Sequence, residues 1–189
     1  MPTVVFDFDK TLTKRDTVLG FLLAASGKGL IPIRRLIFLF FAVLHKFKWI
    51  SNDRLKKTGI NLFLLNMEEG TLKQRASEYA KGIGLNSIYE TEFRSTYPQA
   101  IIVTASYEEY VKPIFEGNLV LAAKLSYSDG KVSGLQQNAY GPQKVALLNK
   151  QGIDRVDIFY TDSFSDQAVM DISTVVYLVK NNNIKKIKG

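Results

Sequence analysis

The segment DFDKTLT follows directly on the apolar run Val4, Val5 and Phe6, so two carboxylates, Asp7 and Asp9, stand just past a short strand-like stretch. Residues Thr3 to Phe8 are β-branched and aromatic, with no room for helical periodicity, and read as a central strand. Three further segments repeat the theme. Thr104, Ala105 and Ser106 close IIVTAS, Lys144 lies in GPQKVALL, and Asp162 and Asp166 lie in YTDSFSD after another apolar run. Open α/β sheets take ligands at the carboxyl edge of their strands. A doubly wound α/β sheet would carry all four segments to that one rim.

The pattern between the first strand and the rest is helical. Asp16 can cap a helix through Ala25, ended by Ser26-Gly27-Lys28-Gly29. Pro32 stands near the start of a second helix running to about Trp49. Ser51, Asn52 and Asp53 cap a third, ending near Leu65, and Glu69 to Ile83 is a fourth. Ser87-Ile-Tyr-Glu90 has capping-box spacing for a fifth. After Pro98 strands return: Ala100 to Val103, a hairpin turning at Asp129-Gly130, Val156 to Tyr160, and Thr174 to Val179. Ser106-Tyr-Glu-Glu109 again has capping-box spacing and predicts a helix through Phe115. Gln143 to Lys150 and Gln167 to Met170 read as helices, and Lys180 to Gly189 as a basic edge or tail. The expected layout is a Rossmann-like core from residues 1–14 and 95–189, with an all-helical domain, residues 15–94, inserted where it can serve as a lid.

Composition narrows the chemistry. Cysteine is absent, which removes disulfides, thiolate metal sites and cysteine nucleophiles. The formal charge of +7 fits a solvated basic surface, an anionic substrate or an anionic membrane face. The basic residues are scattered and no nucleic-acid module is recognisable, so nucleic acid is not an expected partner. Asp7 and Asp9 interrupt the N-terminal apolar run, so it does not read as a signal peptide. The longest apolar block, Leu36 to Leu44, falls short of the ~20 residues a membrane-spanning helix needs. The expected location is the cytoplasm, with a membrane-surface association open. His45, the only histidine, reads as flanking surface without ligand partners.

Two carboxylates two residues apart repel, so one needs a cation or a proton. Mg²⁺ answers the first need, since it favours a few carboxylates plus water and phosphate oxygens. Thr104 offers a hydroxyl, and the amides of Ala105 and Ser106 would open a helix N-terminus, an anion seat. Lys144 offers a point charge. Together they describe metal-assisted phosphoryl transfer with an aspartate nucleophile.

DFDKTLT resembles the first motif, DxDxT, of the haloacid dehalogenase superfamily phosphatases. TAS, the Lys144 segment and TDSFSD resemble its second, third and fourth motifs, in the same order along the chain. A helical insertion after the first motif is where the phosphoserine phosphatase-like branch carries its cap. The resemblance implies that Asp7 is the nucleophile and that Asp9 protonates the leaving oxygen and then activates water. It implies that Asp7, the main-chain carbonyl of Asp9, and Asp162 hold Mg²⁺ with Asp166 in support, and that Thr104 and Lys144 hold phosphoryl oxygens. Two departures stand out. Thr161 occupies the place of a usual Gly in the fourth motif, and Asp16 the place of the Glu that binds phosphoserine, which argues against that substrate.

The apolar run Phe21 to Leu23 and the block Leu36 to Leu44 admit two readings. They form a cap core, or an interfacial helix with Phe38, Phe40, Phe41 and Trp49 in lipid and Arg34, Arg35, Lys46 and Lys48 at head-group phosphates. The second resembles, in character, the phosphatidylglycerophosphate phosphatase C-type members of this branch. The leading expectation is a Mg²⁺-dependent phosphatase of phosphate monoesters, foremost a phospholipid. The alternatives are a soluble phosphatase of phosphoserine-like metabolites, or a phosphate- or membrane-binding module without turnover.

Overall fold

The computed structural model describes residues 2–26 and 31–189. Seven strands form one sheet in the order β4-β3-β2-β1-β5-β6-β7. They are β1 (Val4–Phe6), β2 (Ile101–Tyr107), β3 (Val120–Ser128), β4 (Lys131–Gln137), β5 (Val156–Thr161), β6 (Ser173–Lys180) and β7 (Asn183–Lys188). The five inner strands are parallel, and an antiparallel hairpin partner closes each edge. The short β1 lies at the centre with every residue buried, as its unbroken apolar sequence requires.

Alternation along β1 divides the core. Val4 and Phe6 face one side and Val5 the other. Behind Val5, α6 (Pro142–Asn149) and α7 (Gln167–Asp171) cover the sheet through Leu147, Leu148, Val169 and Met170. On the opposite face Phe6 stacks on Tyr160 at 4.3 Å and meets Phe93 edge-on at 5.6 Å. The segment between β1 and β2 supplies α1 (Val18–Ala25), α2 (Ile31–Lys46), α3 (Asn52–Phe63), α4 (Glu69–Lys81) and a π-helical turn, Tyr89–Arg94. Their buried residues Phe21, Leu22, Ile60 and Leu72 belong to the same apolar cluster as Phe8, Tyr107 and Tyr110. The helices thus share one continuous core with the sheet.

Several local expectations hold. Ser51 caps α3 by accepting from the Arg54 amide at 3.2 Å. Asp129 and Gly130 both take positive φ, 49° and 73°, as a tight hairpin turn demands. Ser26 ends α1 in extended backbone, and the rest of the expected Gly27-Lys28-Gly29 break lies outside the described residues. The basic C-terminal stretch forms the edge strand β7.

Others are corrected. The second helix stops at Lys46, short of Trp49, because Lys48 turns left-handed (φ 60°) and the chain folds back on the last carbonyls. Ser87 and Glu90 form no capping box. The neighbouring Asn86, buried and bonded through Nδ2 to the Thr11 carbonyl, accepts from the Ile88 amide instead. The helix expected from Ser106 starts two residues later: β2 continues through a register shift to Tyr107, then α5 (Glu108–Val111) runs directly into a 3-10 turn, Lys112–Ile114, that ends at Phe115.

Candidate active site

β1 ends where Asp7 donates its amide to the Tyr160 carbonyl at 2.9 Å. Beyond it the chain coils on itself: the amides of Thr11, Leu12 and Thr13 all point at the Phe8 carbonyl, with Lys10 at φ 58°. This coil sends the two carboxylates in different directions. Asp7 turns to Lys144, which lies in the first turn of α6. Asp9 turns to the helical insertion and to β2.

The Lys144 amine lies 2.7 Å from Oδ1 of Asp7 and 2.7 Å from Oδ1 of Asp166, and all three side chains are buried. Thr11 donates to Asp7 Oδ2 at 3.4 Å and Thr161 to Asp166 Oδ2 at 2.8 Å. Burial pushes the Asp7 carboxyl up to about 7, against the pull of Lys144 and with added repulsion from Asp166. Burial also depresses the Lys144 amine, but the two carboxylates overcome it and hold the amine above the ordinary lysine value. Two buried carboxylates around one ammonium leave the cluster short of positive charge.

Asp9 is held differently. Its Oδ1 accepts from the amide and hydroxyl of Thr17 at 2.8 and 2.6 Å, and its Oδ2 accepts from the Ser106 hydroxyl. Tyr110 backs this set, with its hydroxyl 2.8 Å from Thr17 Oγ1. Burial and the charge of Asp16 push Asp9 up to about 6, while the Ser106 and Thr17 hydrogen bonds hold it down. An acid of that strength exchanges protons readily near neutral pH.

A cavity of about 570 Å³ opens over these groups, and Asp7, Asp9, Thr104, Ala105, Lys144, Asp162 and Asp166 all line it. Seven of the eight expected site residues therefore meet at one rim. Ser106 lies beneath it, not at its wall. Its hydroxyl serves Asp9 and its amide donates to Thr104 Oγ1 at 3.0 Å, so no helix N-terminus opens at Ser106 and that amide is not free for an anion, while Ala105 keeps its place on the cavity wall. The far wall is apolar and comes from the insertion: Phe38, Leu39 and Ala42 of α2 and Leu55 of α3. His45 joins this wall, against Tyr140 and with Nδ1 3.2 Å from the Ile50 carbonyl, so it is not mere flanking surface.

The donor set suits a hard dication. Asp7, Asp162 and Asp166 offer carboxylate oxygens to one cavity whose lining, with Asp9 and Asp16, sets five carboxylates against Lys10, Lys56 and Lys144, and Asp162 is itself pushed up by burial, with Lys10 and Lys180 opposing. Among the described residues no three His, Cys, Asp or Glu side chains are already gathered into a cage. Mg²⁺ needs none, since it keeps waters and substrate oxygens in its shell.

Thr17, Tyr110 and Lys56 were not singled out from sequence. Lys56 had a readable signal: it falls on the stripe 56, 59, 60 and 63 that α3 buries. Thr17 and Tyr110 carried none, because a tertiary fold alone brings them to Asp9.

The defining pattern of the haloacid dehalogenase-like hydrolases matches residues 4–171, and the chain belongs to that family. No curated protein matches in sequence. Solved structures share the fold. A protein of unknown function from Bordetella pertussis Tohama I has TM-score 0.75 and 19% identity over 89% of this chain and 85% of that one. A phosphoserine phosphohydrolase-like protein from Francisella tularensis subsp. tularensis SCHU S4 has TM-score 0.67 and 18% identity over 93% and 86%. A substrate-bound phosphoserine phosphatase complex has TM-score 0.62 and 17% identity over 93% and 84%.

Proposed function

We propose that the chain is a Mg²⁺-dependent phosphatase that hydrolyses the phosphate monoester of an amphiphilic substrate, foremost a phospholipid such as phosphatidylglycerophosphate, at the cytoplasmic face of a membrane. In this reading residues 15–94 act as a cap over a core of residues 1–14 and 95–189. Asp7 attacks phosphorus, and the bond to the leaving oxygen breaks as Asp9 gives that oxygen its proton. Asp9 then takes a proton from water, which attacks the aspartyl phosphate and frees inorganic phosphate and Asp7. Thr104, the Ala105 amide and Lys144 hold the phosphoryl oxygens, while Ser106 and Thr17 aim Asp9. Asp7, the Asp9 main-chain carbonyl, Asp162 and Asp166 would hold Mg²⁺, which when bound offsets the crowded carboxylates and draws charge from the phosphoryl group.

The observation that carries the lipid reading is the two-sided apolar character of α2. One side, Phe38, Leu39, Ala42 and His45, lines the cavity. On the other, Ile33, Leu36, Phe40 and Val43 are exposed, and beyond the helix Phe47 is exposed too and Trp49 is 76% exposed. Phe21 and Leu22 are buried as a cap core requires, whereas in α2 only Phe38 is fully buried, and it lines the cavity where the lipid reading had placed it in the membrane. No acidic residue lies on α2, while Arg34, Arg35, His45 and Lys46 do. Such a helix can lie in a lipid interface and meet anionic head groups. Among the described residues no helix is long and apolar enough to cross a membrane. An apolar wall beside the phosphate site favours an acyl chain over phosphoserine.

Purified protein with Mg²⁺ should release phosphate from phosphatidylglycerophosphate in anionic vesicles faster than from phosphoserine. Efficient turnover of soluble esters with the lipid untouched would sink the lipid reading. Loss of all turnover in Asp7→Asn is the companion control.

A further inference from the structure

Lys56 is a buried cation outside the Asp7 network. It is 5% exposed and shares the packed stripe of α3 with Gly59, Ile60 and Phe63. Its amine donates to the Ala105 carbonyl and stands 5.4 Å over the Tyr107 ring. Among the described residues no carboxylate oxygen comes within 4.0 Å of it. An ammonium has three donors, and one carbonyl engages only one of them. Taking a charge out of water for so little return is costly. A neutral donor tethering α3 to Ala105 would not carry that cost. Burial draws the amine down to about 7, with Asp9 and Asp53 opposing and Lys144 adding to the fall. Asp9 and Asp53 act on the amine only from a distance, no carboxylate pairs with it directly, and the space beside Lys56 is the cavity it lines with Asp9, Thr104 and Lys144.

We infer that Lys56 is a substrate-binding residue that donates to a phosphoryl oxygen from the helical insertion, so that the phosphate cradle is complete only when α3 is seated against β2. The inference rests on the phosphate-binding reading of the cavity and adds to it a ligand from outside the four sheet-edge segments. The amine's existing bond to Ala105 places it beside Thr104, the hydroxyl of the same cradle. A substrate anion supplies what the buried amine lacks, and one group thus registers both the seating of the insertion and the presence of phosphate.

The test is calorimetric titration of inorganic phosphate, with Mg²⁺ present, into the native chain, Lys56→Met and Lys56→Gln, alongside thermal melts and p-nitrophenyl phosphate kinetics. Glutamine keeps a neutral amide donor, of shorter reach, in place of the charged amine. Both variants should fold and should bind phosphate about 10- to 100-fold more weakly, the worth of one charge-assisted hydrogen bond. KM should rise by more than kcat falls. A folded Lys56→Met or Lys56→Gln that binds phosphate as the native chain does overturns the inference and leaves the phosphatase reading standing. A native chain that neither binds phosphate nor turns over the ester removes both.

Discussion

The amine of Lys144 lies 2.7 Å from Oδ1 of Asp7, across 137 positions of sequence. This buried pair joins β1 to α6 and fixes the carboxylate that the proposed chemistry uses. Removing the lysine leaves Asp7 and Asp166 buried beside each other with no neutralising group. Lys144→Met should therefore cost about 3–5 kcal/mol of stability in metal-free urea denaturation, as breaking a buried pair does. Phosphatase turnover should vanish with it, and a variant as stable as the native chain would refute the electrostatic account.

Ser106 and Thr17 hold the Asp9 carboxyl down, against burial and Asp16. Deleting the hydroxyl in Ser106→Ala should raise the Asp9 pKa. The acid form then persists to higher pH, so the alkaline limb of kcat/KM should move upward. An unmoved limb with a simple fall in rate would assign Ser106 to packing alone.

Burial draws the Lys56 amine down to about 7, from an ordinary lysine value of 10.5. Between those values the unfolded state binds more protons, so stability gained from this group rises with pH across that window. Lys56→Met lacks the titration. Its stability advantage over the native chain should be largest below pH 7, shrink as pH rises, and disappear near pH 10. Thermal melts without phosphate or metal would reveal this, and a pH-independent difference would exclude a buried, depressed amine.

The exposed seam of α2 places Leu36 and Phe40 on solvent, at 67% and 61% exposure. Leu36→Glu with Phe40→Glu should leave the melting temperature unchanged, since neither position is packed. Each lost insertion is worth about 2 kcal/mol of apolar burial, so vesicle co-sedimentation should fall more than tenfold. Residues 33, 36, 40, 43 and 47 also have the spacing of a helix-pairing seam. Light scattering that finds a stable dimer, with no vesicle binding by the native chain, would overturn the membrane reading.

Gly59 lets three helices meet. A Cβ there would stand 2.9 Å from Leu22 Cδ1 and 2.9 Å from Phe38 Cε2. Gly59→Leu should cost about 1–3 kcal/mol by overpacking and loosen α2 from α3. Denaturant melts that find no loss would place α2 elsewhere.

The sequence by itself determined the sheet and the reactive rim. Runs such as Val4–Phe6 and Val156–Tyr160 can only be inner strands, and a parallel sheet carries whatever follows each strand to a common edge. Asp7, Thr104, Lys144 and Asp162 meet there because local strand and helix ends place them. Tertiary packing decided the rest. Ser106 and Glu109 spell a helix cap, yet the chain stays extended to Tyr107 and the helix starts only at Glu108, because Asp9 and the neighbouring β3 claim Ser106 and Tyr107. The apolar block of α2 could be core or surface by composition, and only the placement of Gly59 under Phe38 fixed which side faces inward. Lys56 and Thr17 reach Asp9's surroundings through side-chain contacts 49 and 8 residues apart in sequence, respectively to Ala105 and to Asp9. Periodicity records which residues share a face of one element. It holds no record of which element that face will meet, and the charges around a site depend on that meeting.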